Sequence, residues 1–304
     1  MSIAVWSGAL EQGLLWAAMV LGVYLTFRVL DFPDLTIDGC FTLGAAVVTR
    51  FILEGFNPLL GMTMAMICGA AAGLVTGFLH TRLRIAPLLA GILTMIALYS
   101  INLRVMGAAN LSLLRMNTAI TWIMDLGFSK ANSAIILGTV ATALVVTLLY
   151  LFLNTEMGMA IRATGDNEQM IRSLGVNTDS MKMIGLSLGN AMVALSGGMV
   201  AQYQGFADIG MGIGMIIMGL AAVIIGEALV GTKNLLRALV AVVVGSFVYR
   251  LVISVVLQLG LPTTDLKLFT AAIVVLALAF PIVRENLKIK QIGGGKNGVR
   301  NATR

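Results

Sequence analysis

Charge is scarce in this sequence. Only 11% of its 304 residues are Asp, Glu, Lys or Arg, against about 25% in a soluble domain. With 59% hydrophobic residues and a mean hydropathy of +0.96, the chain lacks the polar surface to cover itself in water. That excludes a soluble fold and makes the bilayer its solvent. Polar stretches are also too short to hold a soluble domain, the longest lying near 154–183. Cysteine is scarce: Cys40 and Cys68 both lie in apolar runs, which excludes a disulfide framework. The single histidine, His80, has no second ligand beside it, so a metal site has no support. No G-x-x-x-x-G-K-[ST] loop occurs, so nucleotide cannot be bound in that manner. Paired carboxylates and Ser–His or Cys–His arrangements are missing too, and the chain is expected to be neither an enzyme nor a cofactor-binding protein. No basic region precedes the first apolar run, so a cleavable signal peptide is not expected.

What is present fits a membrane. The 34 glycines and 19 methionines suit closely packed transmembrane helices with adaptable side chains. A span needs about 20 apolar residues, which places helices near 9–27, 37–53, 59–79, 86–105, 134–153, 182–203, 213–231, 238–257 and 266–283. The net charge of +6 is concentrated in short connections and the tail, and so reads as topology rather than nucleic-acid binding. Segments 80–85, 154–182, 231–237 and the tail from Arg284 are basic and should face the cytoplasm; 54–58, 106–133, 204–212 and 258–265 are poorer in positive charge and should face outward. Nine alternating spans satisfy all of these assignments with the N-terminus outside and the C-terminus inside. The expected fold is an all-α polytopic membrane protein of about nine spans, with 1–283 as one transmembrane unit and 284–304 as a basic, flexible cytoplasmic tail. "FTLGAAVV" (41–48) echoes "IMGLAAVI" (217–224) in a span of opposite direction, which allows an inverted repeat.

Ionisable residues at membrane depth cost at least about 2.5 kcal/mol each on insertion scales and point to function. Arg250 lies halfway along an apolar run, too far from either end to snorkel. It either forms an interhelical salt bridge or lines a pathway, with Asp31, Asp34, Asp38 and Asp208 as partners to consider. Glu227, near an inner end, is expected to pair with Lys233, and Arg104 to snorkel outward. Segment 201–216 joins Gln202, Tyr203, Gln204 and Asp208 to glycines at 205, 210, 212 and 214. It is either an external turn or irregular backbone lining a polar cavity. "FRVLDFPDLTIDGCFTLG" (27–44) poses the same choice between a solvated loop and chain turning within the membrane, with Thr36 or Asp38 as cap of the next helix.

The segment 154–183 writes a short helix at both ends. Asp166 or Asn167 can cap it, Arg172 suits its last turn and Gly175 can take the left-handed position beyond. Met170, Ile171 and Leu174 form an apolar face that two turns of helix cannot leave unburied in water. It lies on the membrane surface or on its own domain, or it docks into a groove of a cytoplasmic partner.

The run of Gly158, Arg162, Ala163, Gly165, Asn167, Gly175, Val176 and Asn177 resembles the coupling segment of ATP-binding-cassette importer permeases of the branched-chain amino acid, ribose and nucleoside group. "GLAAVIIGEALVG" (219–231) resembles a late helix of that family that usually ends in Gly-Gly; here Glu227 replaces the second glycine. The closest group is the uncharacterised or tryptophan-type amino acid permeases. The resemblance implies a type II-like permease subunit of a bacterial inner membrane, working as a dimer of permease chains, expected to be identical. Two ATPase subunits would bind ATP and Mg, and an extracytoplasmic binding lipoprotein would deliver a small polar solute, first an amino acid, tryptophan-like or branched-chain, second a nucleoside or sugar. It places ATPase coupling on Gly158, Arg162, Gly165, Asp166, Asn167, Met170, Ile171, Leu174 and Gly175, and the pathway near Asp31, Asp34, Thr36, Asp38, Gln202, Gln204, Asp208 and Arg250. A charged residue at Ile171 should then uncouple a folded permease. A stand-alone ion-coupled transporter is the alternative from another class.

Overall fold

A chain crossing about 30 Å of hydrocarbon must satisfy its backbone N–H and C=O groups internally, which a helix does. The computed structural model describes residues 3–258 and the isolated positions 272 and 275. Apart from those two positions, the expected ninth span (266–283) and the tail (284–304) lie outside the described residues. The long helices are α1 (Ile3–Val23), α2 (Thr36–Leu53), α3 (Pro58–Thr81), α4 (Pro87–Met106), α6 (Lys130–Leu153), α9 (Thr178–Gln204), α10 (Met215–Val230) and α11 (Leu235–Gln258). Seven of them are long and apolar enough to cross a membrane, and the eighth, α10, is a shorter apolar helix. These eight match the first eight expected runs.

Their ends follow local chemistry. Asn57 caps α3, accepting from Leu59 N at 2.8 Å, with Pro58 in the first turn. Ser129 caps α6, and left-handed Gly107 and Gly205 close α4 and α9. Several pieces carry no long hydrophobic period and were not expected: a π-helical turn (Tyr24–Val29) extending α1, β1 (Asn110–Ser112), α5 (Ala119–Met124), α7 (Glu156–Asp166) and β2 (Phe206–Asp208). The strands pair antiparallel, Leu111 opposite Ala207, so segments 106–133 and 204–212, grouped by charge, do meet at one end. His80, Arg84, Glu168 and Lys182 gather at the other, called here the basic end.

α1, α2 and α9 form the centre. Their backbones touch through small residues: a Cβ at Gly44 would collide with Ala194 O, and one at Gly197 with Phe41 O. Lipid offers no hydrophobic drive between helices, so this close approach is what joins them. Three hydroxyls pin α1 from three sides, with Ser246 Oγ donating to Gly13 O (2.8 Å), Thr142 Oγ1 to Leu14 O (3.0 Å) and Ser196 Oγ to Leu15 O (2.8 Å). α3, α4 and α6 turn faces outward, leaving Ile67, Ile96 and Val140 exposed for lipid or a partner.

Two helices begin inside this bundle. Val29 lies at the basic end, where its carbonyl faces Gly165 of α7. The chain then runs without helix through 31–34, with Asp31 at φ 53, and re-enters. Asp34 Oδ2 accepts from Asn190 Nδ2 at 2.6 Å, and Asn190 is twelve residues beyond the start of α9, or about 18 Å at 1.5 Å per residue. Likewise Met215, which starts α10, is twelve residues before Glu227, again about 18 Å deeper. α2 and α10 therefore both start within the thickness of the bundle; within segment 27–44, Arg28 and Asp31 are exposed at the basic end, and from Phe32 the chain runs buried or half-buried into α2.

Candidate functional site

The two buried helix starts face each other. α2 receives no side-chain cap from Thr36 or Asp38; Leu35 holds its N-cap position, and Asp34 Oδ1 accepts from Thr36 N at 2.9 Å. Thr36 instead turns its hydroxyl to Thr76 (2.7 Å), which donates on to Thr94 (2.9 Å). Asp38 caps the other helix. Its Oδ2 accepts from Gly214 N and its Oδ1 from Ile216 N, both at 2.9 Å, so a carboxylate stands at the positive end of α10. Gly212 N donates to Thr42 Oγ1 at 3.1 Å, and a Cβ at Gly212 would strike Asp38 O. Glycine is required there because the 205–214 segment passes this close to α2. Asp34 is 0% exposed, and its three expected neighbours in the pathway set, Thr36, Asp38 and Asp31, are thus split between the interior and the basic end.

The 201–216 residues do different work. Gln202 is buried and accepts from Ala119 N at 2.8 Å, holding α5 down. Asp208 accepts from Gly210 N (2.8 Å) and Asn110 Nδ2 (3.4 Å) within the strand ribbon, and Gln204 is exposed. Arg250 meets none of its four proposed carboxylates. Its guanidinium lies 3.8 Å over the Trp16 ring and its NH1 is 3.4 Å from Gln12 Oε1. The planar guanidinium stacks on the π face while one of its N–H groups reaches the amide oxygen.

At the basic end, Glu227 pairs with Arg28 at 3.1 Å rather than with Lys233. The π-helical turn explains the partner: it carries Arg28 alongside the end of α10. Arg28, Asp31, Arg162, Asp166, Glu227 and Lys233 surround a cavity of about 840 Å³. His80 is no ligand. Its Nδ1 is 2.9 Å from Ile85 O, its ring packs edge-on to Phe32 at 5.2 Å, and no metal-ligating cluster exists among the described residues.

Segment 154–183 holds two short helices before α9, not one. α7 is capped by Thr155 and buries Gly158, Ile161 and Thr164. α8 (Glu168–Ser173) is capped by Asn167, which accepts from Met170 N at 2.9 Å, and Gly175 sits at φ 87. Its apolar face is divided. Ile171 is buried at 6% exposure, while Met170 and Leu174 are 53% and 69% exposed. Ile171 anchors the helix to its own chain, so a charge there acts on local folding before it acts on any partner. Charges complete the anchor: Glu168 Oε2 meets Lys182 Nζ at 2.7 Å, its Oε1 meets Arg172 at 3.1 Å, and Arg172 reaches Asp179 at 3.2 Å. The hydrogen bond from Lys182 holds the Glu168 carboxyl below its ordinary value. The outward surface carries Met157, Met159, Met170 and Leu174, all exposed.

A bundle of membrane-length helices, with two helix starts lying within its thickness, defines a polytopic membrane protein. The chain belongs to the family described as branched-chain amino acid transport system / permease component, which matches residues 6–279. It is a multi-pass protein of the bacterial inner membrane and the transmembrane subunit of an ATP-binding-cassette importer. It is 42% identical over 279 residues to a tyrosine transport system permease protein of Clostridioides difficile, covering 92% of each chain. A Rickettsia prowazekii protein of uncharacterised function is 34% identical over 284 residues, 92% of this chain and 98% of that one. An autoinducer 2 import system permease of Yersinia pseudotuberculosis is 32% identical over 171 residues, 54% of this chain and 45% of the relative. Among solved structures, an inward-facing metal-chelate type ABC transporter aligns with 92% of this chain and 85% of its own at 16% identity and a TM-score of 0.48.

Proposed function

We propose that the chain forms the import pathway for an amino acid, with an aromatic one as the leading substrate. The observation that carries this reading is the 92% coverage at 42% identity with a permease whose name gives tyrosine transport. A nucleoside or sugar substrate is the competing reading, favoured by the partial similarity to an autoinducer permease. The chain works as a dimer of identical chains with its N-terminus outside. Two cytoplasmic ATPase subunits bind the ATP and Mg, this chain binding no cofactor of its own, and an extracytoplasmic lipoprotein delivers the solute. The ATPases dock on the exposed methionines and Leu174 of α7 and α8. The apposed starts of α2 and α10, at Asp38 and Gly214, lie on the pathway.

The test is reconstitution of the chain with its ATPase and binding protein in proteoliposomes, followed by uptake of radiolabelled tyrosine, tryptophan, leucine, a nucleoside and ribose. ATP-dependent uptake confined to amino acids supports the reading. Uptake of the nucleoside or ribose alone overturns it, as does amino acid uptake without any ATPase subunit.

A further inference from the structure

Beside the apposed helix starts, α2, α4 and the 205–214 segment line a cavity of about 460 Å³, open on the side where Ile96, Tyr99 and Ile213 are exposed. That is within the usual range of about 300–1,000 Å³ for small-molecule sites, which are mostly apolar with a few placed polar groups. This one has that division. Met95, Ile96, Ile209 and Ile213 line most of it, with Tyr99 contributing an aromatic ring, while Asp38, Thr42 and Asn102 make one polar end.

The polar end has unspent acceptors. Asn102 is 1% exposed; its Nδ2 donates to Gly39 O at 3.0 Å, and its Oδ1 has no hydrogen-bond partner. The Gly39 carbonyl fixes which end of the amide is which, so the free atom is an acceptor. A buried amide oxygen without a donor costs about 1–3 kcal/mol, a cost that a bound donor removes. The Asp38 carboxylate takes the backbone N–H groups of Gly214, Met215 and Ile216, while its two oxygens together offer about four lone-pair sites. No Lys or Arg lines this cavity among the described residues. Its polar end therefore wants a cation with several N–H donors. At the other side Ser100 belongs both to this cavity and to a smaller one lined by Arg104, one helical turn further along α4.

We infer that this cavity is a solute-binding site for an amphiphilic primary ammonium ion, whose –NH3+ sits between Asp38 and Asn102 and whose apolar body lies against Met95, Ile96 and Tyr99. A carboxylate on the same solute would reach toward Arg104. The inference rests on the amino acid reading above and names the part of the solute that the membrane subunit itself recognises.

The experiment uses the chain assembled with its ATPase subunits in lipid nanodiscs, without the binding protein, and 3-fluoro-L-tyrosine observed by fluorine NMR. A bound signal is expected, displaced by L-tyrosine and by tyramine, but not by 3-(4-hydroxyphenyl)propionate, which lacks the ammonium. Asp38→Asn should weaken binding tenfold or more. Because Asp38 also holds α10, the deciding variant is Ile96→Trp: Ile96 lines the cavity at its open side and is 59% exposed, so the added bulk obstructs the mouth without disturbing the core, and binding should be lost. Leu93→Trp, one turn away at 43% exposure and outside the cavity, should bind as wild type does. Equal displacement by the propionate, or wild-type binding by Ile96→Trp, overturns the inference. Amino acid uptake by the reconstituted wild type alongside either result leaves the proposed function standing, whereas an importer that carries only a sugar or nucleoside overturns that function itself.

Discussion

The Asp38 carboxylate accepts the backbone N–H of Gly214 at 2.9 Å, joining the first turn of α2 to the N-cap of α10 across 176 residues of sequence. A second bond at the same distance goes to Ile216 N. Two helices that start inside the bundle are thereby latched end to end, and neither can tilt at its buried end without the other. Asp38→Ala removes both acceptors from the α10 start. Losing a side-chain cap costs about 0.5–2 kcal/mol, too little to unfold the bundle but enough to free the junction. The expected result is normal membrane levels with uptake reduced at least tenfold. Uptake at wild-type rate would show that the junction lies off the pathway.

Gly44 and Ala194 make the opposite case, where packing alone is at stake. A Cβ at Gly44 has no room against the Ala194 backbone, and neither partner is the movable end of a side chain. Overpacking a tight core costs about 1–3 kcal/mol or more. Gly44→Leu should therefore lower the amount of protein in the membrane and its thermal stability in detergent, without a selective effect on solute binding. A Gly44→Leu protein of wild-type stability would mean that α2 and α9 are further apart than described.

Much of this was legible in the residues. Eight apolar runs became helices because membrane helices need only length and hydrophobicity, and the Asn167 and Gly175 ends of α8 follow from caps that act locally. The partners of charges were not legible. Arg250 rests on Trp16 and Gln12, and Glu227 pairs with Arg28, because those contacts depend on which helices lie side by side and on a π-helical turn with no sequence signal. Asp38 caps a helix far away in sequence rather than its own, since helix α2 starts two residues before it. Asn102 and Tyr99 escaped notice because a single amide or phenol in an apolar run looks like any other.

The Arg28–Glu227 pair spans the cavity at the basic end, with Arg28 63% and Glu227 19% exposed at the side chain. An ion pair this open is worth about 0–1 kcal/mol, so its role is positional. Glu227→Lys alone places four cations, Arg28, Arg162, Lys233 and the new one, around one mouth and should slow uptake severalfold. Arg28→Glu combined with Glu227→Lys restores the attraction and should recover most of the rate. A double variant no better than the single one would show that the pair does not act as a unit.

Ile171 and Leu174 are three residues apart on α8, yet one is buried and the other 69% exposed. Leu174→Lys changes only the outward face. It should leave α8 folded while weakening association with the ATPase, read as co-purification yield and as loss of solute-dependent ATP hydrolysis. Ile171→Lys buries a charge and should make the 167–177 segment sensitive to protease even before any partner is added. If the two variants behave alike in the protease assay, the division of this face is wrong.

Glu168 ties α8 to α9 through Lys182, and that hydrogen bond is the leading reason its carboxyl titrates below the ordinary range. A carboxyl depressed in the folded state stabilises wherever it is ionised. Its contribution is fully present above the unfolded value of about 4.3 and is lost as pH falls through the lower folded value. The clamp should hold from about pH 8 down to about pH 5 and fail only in stronger acid. A nitroxide at position 174, attached through Leu174→Cys, reports this directly by its mobility. Its spectrum should stay constant across the neutral range and sharpen only below the ordinary carboxylate range, whereas in a Glu168→Gln background it should be mobile throughout. A change in mobility at neutral pH would assign the clamp to a different titrating group, and a Glu168→Gln spectrum identical to the parent would show that Lys182 holds α8 without it.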